Sequence, residues 1–308
     1  MAEPAITVGG SVAAAQPRRR LTDGQAAIVF LAPATLLAGV FMLYPILNTV
    51  VMSLFRVDQF GRFKAFRWFG NYMALFADAD FLASLWRTIV WTAGVVIVTT
   101  VLSLLLAVIL NRKFRGRAIA RGLLLLPWAT GLVVVGLLWR WMSQADFGAL
   151  NHLLANIGFN MRLEWLADPH LSFPLMVGIA IWASVPPTTL MLMAGLQSID
   201  RDFYEAAALD GARGWFVFWD FTLPLLRPVL AVSILLNVVF VFNSFPIIWT
   251  MTEGGPAGST DTLVTYLYKL GFKLYNVGGA AAVSMVIFFI LLAFAVIHTR
   301  LTWKNVLR

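Results

Sequence analysis

Long charge-free apolar stretches alternate with short polar connections along the chain. Six stretches stand out, at residues 26–55, 88–111, 122–139, 171–199, 228–252 and 274–299. The shortest is 18 residues and the longest 30; a helix needs roughly 17–25 to cross the hydrocarbon core. The pattern therefore predicts an all-α, polytopic membrane protein with six transmembrane helices. Trp139, Arg140 and Trp141 close the third stretch, an arrangement suited to headgroup depth. His298 falls at the very end of the sixth.

The connections differ in character. Residues 56–87 are mixed and aromatic. Residues 144–170 contain Asn151-His152, Gly158 and Asp168-Pro169, which read as a short helix and turns. Residues 253–273 open on Glu253-Gly254-Gly255-Pro256, a turn sequence. Residues 1–22, rich in Ala, Gly and Pro, read as a disordered cytoplasmic tail. The apolar run after Arg18-Arg19-Arg20 is too long for a signal-peptide core, so it reads as a retained first span.

Composition fixes the class. The chain is 60% hydrophobic and 12% charged, against about 45–50% and 25% in soluble domains. Such a surface cannot all face water, which excludes an ordinary cytosolic enzyme, a disordered chain and a nucleic-acid-binding domain. Zero cysteines exclude disulfides, thiolate metal sites and a cysteine nucleophile. The three histidines are far apart, so no metal site is expected.

Charge sets the orientation. With both termini in the cytoplasm, 14 of the 23 basic residues lie inside. Five of them (Arg112, Lys113, Arg115, Arg117, Arg121) crowd one connection that holds no acid. The positive-inside rule then gives N-in, C-in.

The connection at 200–227 is unlike the others. It carries five acids (Asp200, Asp202, Glu205, Asp210, Asp220) on the cytoplasmic side. Ala206, Ala207 and Ala208 favour a helix, and Gly211 and Gly214 can end it. A second helix is expected from about Trp215, with Phe216, Trp219 and Leu223 on one apolar face and a boundary at Pro224 before span five. From the residues alone, an interfacial amphipathic connection and a docking helix–turn–helix both remain open.

Glu205-Ala206-Ala207, Asp210-Gly211-Ala212 and Leu223-Pro224 resemble the EAA loop of binding-protein-dependent ABC importer permeases. Phe221 stands where that family usually has isoleucine. Tyr44-Pro45-Ile46, Leu126-Pro127-Trp128, Trp139-Arg140-Trp141, Phe147-Gly148-Ala149-Leu150-Asn151, Ala194-Gly195-Leu196-Gln197, Thr252-Glu253-Gly254-Gly255-Pro256 and Gly279-Ala280-Ala281-Ala282 resemble its carbohydrate branch, the maltose and glycerol-3-phosphate permeases.

The resemblance implies a type I ABC importer permease (MetI-like) fold over residues 23–308, with a core at about 84–300 and a coupling loop at 200–227. It implies a multi-pass protein of a prokaryotic inner membrane, taking up a sugar or polyol. The implied partners are a second permease subunit, an ABC ATPase dimer, an external solute-binding protein and the lipid bilayer, with no nucleic acid. ATP and Mg would be bound by the ATPase, with no cofactor in this chain and no catalytic residue; indeed the phosphate-cradling G-x-x-x-x-G-K-[S/T] is absent. Glu205, Ala206, Ala207, Asp210, Gly211, Ala212, Leu223 and Pro224 would carry ATPase coupling.

The resemblance to maltose-type permeases also implies a solute pathway along spans four and five. Ser233, Asn237, Phe240, Val241 and Ser244 form one helical stripe. Ser184, Pro187 and Thr188 lie in the preceding span, where Pro186-Pro187 would break or kink the helix and free backbone groups for a cavity wall. The same polar residues also fit interhelical hydrogen bonds, and both readings stay open. Trp182 is a candidate sugar platform. A stand-alone secondary carrier usually needs charges within its spans, and the six stretches have none. An intramembrane zinc protease needs H-E-x-x-H, also absent.

Overall fold

The computed structural model describes residues 23–159, 161–212 and 214–306. The expected tail at 1–22, with Arg18 to Arg20, lies outside the described residues, as does Arg213. The chain divides into two compact units, Met1–Asn48 and Thr49–Arg308. In the first, α1 (Asp23–Ala38) passes through Pro33 into a π-helical turn, Gly39–Leu43, and into the start of α2 (Tyr44–Ser53), whose last five residues belong to the second unit. None of the first unit's described side chains is buried.

In the second unit a hairpin, β1 (Phe55–Val57) and β2 (Phe63–Phe66), precedes α3 (Gly70–Ala77) and α4 (Ala79–Asn111). Then come α5 (Arg117–Ala129), α6 (Leu132–Met142), α7 (Ala149–Asn156), α8 (Pro169–Gln197), α9 (Arg201–Leu209) and α10 (Gly214–Val217). A π-helical turn, Phe218–Thr222, leads into α11 (Leu223–Phe242), followed by α12 (Phe245–Thr252), α13 (Leu263–Tyr268) and α14 (Val277–Val306). Among the described residues five helices are long and apolar enough to cross a membrane, and up to six if α5 and α6 together make one span.

The apolar pattern located the spans but not their breaks. The third is not one straight helix: α5 and α6 are bent by 91°, because Gly131 adopts φ +44 between them and ends α5. Span five does not run unbroken to Thr252. It stops at Phe242 and restarts at Phe245, with Pro246 in the first turn, where its missing N–H costs nothing. Span two starts at Ala79, well before the charge-free stretch, and keeps Asp80 and Arg87 at that end.

The Pro186-Pro187 pair does not interrupt α8, which continues to Gln197. Hydroxyls take up carbonyls in this turn. Thr188 donates to the Ser184 carbonyl (2.8 Å), Thr189 to Val185 (2.7 Å), and Ser103 on α4 to Val185 (3.1 Å). The carbonyls that lose helical donors to the two prolines are those of Trp182 and Ala183, so these bonds brace the adjoining turn and do not replace the lost ones.

The centre of the core joins α4, α6, α8, α11 and α12 through Trp91, Val95, Val135, Met176, Ile179, Val241 and Ile247. The Trp91 indole is 1% exposed and donates to the Val241 carbonyl at 3.1 Å. Toward one end, Phe81, Leu263 and Val283 pack together; toward the other, Ala107, Leu110, Leu192, Leu196 and Leu226 do. Gly136 lets α6 lie against α12, since a Cβ there would overlap the Thr250 hydroxyl.

The connection after α12 is locked from inside. Glu253 and Gly254 both have positive φ. Asp261, 8% exposed, pairs with Lys269 at 2.7 Å and accepts from the Thr265 hydroxyl at 3.0 Å. Thr88 on α4 accepts from the Leu263 amide at 2.8 Å. Tyr266 donates to Asp78 at 2.7 Å; burial, with that carboxylate beside it, holds the phenol protonated well above its usual range.

Candidate functional site

The loop at 200–227 folds as a helix–turn–helix. Asp200 caps α9, its carboxylate accepting from the Asp202 amide at 3.3 Å. The other end closes in a Schellman motif: Gly211 donates to the Ala208 carbonyl (3.1 Å) and Ala212 to Ala207 (3.0 Å). This needs the left-handed conformation, and Gly211 has φ +73. Gly214 does not end α9 as expected; it opens α10.

Seating follows from the side chains. Ala207 is buried, while Glu205, Ala206 and Asp210 are exposed and Ala212 half-buried. Glu205 makes no ion pair among the described residues. Leu209, at the tip, is 90% exposed, and Phe203 and Trp215 are 54% and 75% exposed. The loop thus presents a carboxylate and apolar side chains that no described residue covers.

No boundary falls at Pro224. The chain stays helical from Gly214 to Phe242 through the π turn. That turn adds a residue to the repeat, so Phe216, Trp219 and Leu223 do not form one buried face; Phe216 and Trp219 are exposed and Leu223 half-buried. Pro224 is also half-buried. The sequence reading missed the tie between the two helices, where the Tyr204 and Thr222 hydroxyls meet at 3.4 Å. It also missed the joint at the loop's base. A Cβ on Gly195 would lie 2.8 Å from Leu226 and 2.9 Å from Val229, so α8 and α11 approach as closely as a glycine allows.

The expected pathway residues divide. Ser184, Thr188, Ser233, Val241 and Ser244 are buried; Pro187 and Asn237 are half-buried; Phe240 is 54% exposed. Ser244 is not on the α11 stripe but stands at the N-cap position of α12, without a side-chain capping bond. Asn237 donates to the Thr188 hydroxyl at 2.9 Å and to the Ser233 carbonyl at 3.1 Å. That joins spans four and five, as the interhelical alternative required. Trp182 is 43% exposed and meets Trp139 edge-on at 5.8 Å.

Residues 99–301, well over half the chain, match the family model of the binding-protein-dependent transport system inner membrane component. The chain is 44% identical to a "probable ABC transporter permease protein" of Brucella suis biovar 1, over 89% of this chain and 95% of that one. It is 34% identical to the trehalose/maltose transport system permease protein MalF of Thermococcus litoralis, over 85% and 88% of the two chains. A chain of a bacterial ABC transporter that imports the acidic polysaccharide alginate superposes with a TM-score of 0.80 at 21% identity, covering 91% of this chain and 95% of that one.

Proposed function

Because this chain belongs to the binding-protein-dependent transport system inner membrane components, as a multi-pass transport subunit and not an enzyme, we propose that it forms half the translocation pathway of an ATP-driven importer for a sugar or related polyol. The observation that carries this reading is the exposed helix–turn–helix of α9 and α10. Its carboxylate and uncovered apolar tip suit a cleft on an ATPase subunit. Glu205 offers a charge-assisted pair to a partner arginine, and the Schellman turn holds α9 in fixed register. Coupling needs different contacts in the two states of the ATPase, and a rigid element transmits that difference to α8 and α11 through the Gly195 joint.

In this reading the ATPase dimer binds ATP and Mg, a second permease completes the pathway, and an external binding protein delivers solute. The chain is N-in, C-in, with α9 in the cytoplasm. The sugar class rests on the likeness to the trehalose/maltose permease. Expressed alone in vesicles, this chain is expected to accumulate no solute; accumulation without an ATPase would establish a secondary carrier instead.

Asn237 lies where the pathway would pass between spans four and five. Asn237→Ala removes an interhelical bond worth about 0.6–1.7 kcal/mol. It is expected to shift the half-saturating solute concentration for uptake several-fold. Unchanged uptake kinetics and unchanged transport-stimulated ATPase activity would leave Asn237 a packing residue only.

A further inference from the structure

The hairpin after α2 is two-faced. Phe55 pairs with Phe66, and a register shift between Arg56 and Val57 leaves an extra residue on β2. The resulting bulge re-aims side chains. Phe63 and Phe66, three residues apart, both reach the Phe55 ring, at 5.1 and 4.9 Å. Trp68 continues the row at 4.7 Å from Phe66. Phe66, Trp68 and Phe69 are 46%, 66% and 63% exposed.

Basic residues line a cavity of about 780 Å³ beside the hairpin, among them Arg56, Lys64 and Arg67. Asp58 takes Lys64 at 3.3 Å. Arg56 and Arg67 have no ion pair among the described residues.

The hairpin is held at the ends of spanning helices. Asn71, 5% exposed, donates to the Ser53 and Phe55 carbonyls at 2.7 and 2.9 Å. Arg67 donates its amide to Leu54 at 2.8 Å. On α14, Gly278 admits the Phe55 carbonyl, which a Cβ would overlap. Ser53 ends one span, and Val277 and Ala79 begin two others. The ribbon is thereby fixed at span-end depth, at the opposite end of α4 from the coupling loop.

We propose that this hairpin is a membrane-interface anchor: its aromatic row beds at the acyl–headgroup boundary, and Arg56 and Arg67 engage lipid phosphates. A ribbon with apolar rings on one side and unpaired cations on the other has the amphipathic division of an element lying in the interface plane. Aromatic rings favour that depth, and each cation near an anionic surface adds attraction. The inference rests on the chain's place in the bilayer and not on the importer reading.

The chain has no cysteine, so single spin labels can be placed cleanly. The full chain, assembled with its co-expressed partners, would carry Phe66→Cys, Trp68→Cys or Arg56→Cys in vesicles of phosphatidylethanolamine and phosphatidylglycerol. The ratio of oxygen to nickel-chelate collision at positions 66 and 68 is expected to exceed that at 56 by about tenfold. A water-like ratio at 66 and 68 would overturn the anchor. So would protection from both reagents, which would mean a neighbouring protein covers the row. Adding Arg56→Glu and Arg67→Glu should lower the ratio at 68 several-fold; an unchanged ratio would overturn the phosphate contact.

Discussion

Gly211→Pro is expected to abolish solute uptake while leaving the chain in the membrane. Gly211 has φ +73, and proline is held near −65°. Proline also lacks the N–H that Gly211 donates to the Ala208 carbonyl at 3.1 Å. Both defects fall on an exposed turn, away from the buried core. Insertion should therefore be normal while α9 loses its fixed exit. Glu205→Lys attacks the same surface by reversing its central charge without touching the turn. A tenfold loss of uptake requires only about 1.4 kcal/mol of lost coupling. Gly211→Asn, which tolerates the left-handed conformation, should keep most of the uptake. The measurement is uptake normalised to the subunit found in the membrane fraction. Normal uptake in both Gly211→Pro and Glu205→Lys would end the coupling assignment.

Gly195→Val is expected to fail differently, by weakening the subunit itself. A Cβ at 195 would lie 2.8 Å from Leu226, and 2.9 and 3.0 Å from two atoms of Val229. Leu226 is fully buried, so it has little room to yield. Overpacking of this kind costs about 1–3 kcal/mol, and valine adds two methyl groups beyond the Cβ. The joint lies where α8 leaves for the loop at 200–227 and α11 returns from it. A lower Tm of the purified complex and reduced amounts in the membrane are expected. Gly195→Ala should show a smaller version of both. An unchanged Tm for the valine variant would show that the two helices separate freely.

The sequence made the spans legible because lipid imposes one requirement on every residue of a span, and 18 or more apolar positions satisfy it visibly. It made α9 legible because alanines and a left-handed glycine act locally; the capping by Asp200 emerged only in the structure. Breaks were harder. At Gly131 and at Asn243-Ser244 the apolar run continues across the interruption, so hydropathy hides it; Gly131 and Pro246 were the available signals. At Pro186-Pro187 the helix is not broken: the loss of two N–H donors leaves the rest of a 29-residue helix in place. The π turn at Phe218–Thr222 has no compositional mark, and it shifted the face expected from Phe216, Trp219 and Leu223. Among the candidate sites, the fold of the loop at 200–227 follows from short-range geometry. The Asn237–Thr188 bond depends on how two spans pack.

Helix α4 has 33 residues, which at 1.5 Å each is about 50 Å, against roughly 30 Å of hydrocarbon. Its surplus exceeds what the usual tilt takes up, so in the proposed membrane placement its Ala79 end, with Asp80 exposed, overhangs the hydrocarbon. A helix longer than the hydrocarbon is thick keeps apolar side chains across it as the thickness changes, so transport is expected to persist across bilayers several ångströms thinner or thicker than the native one.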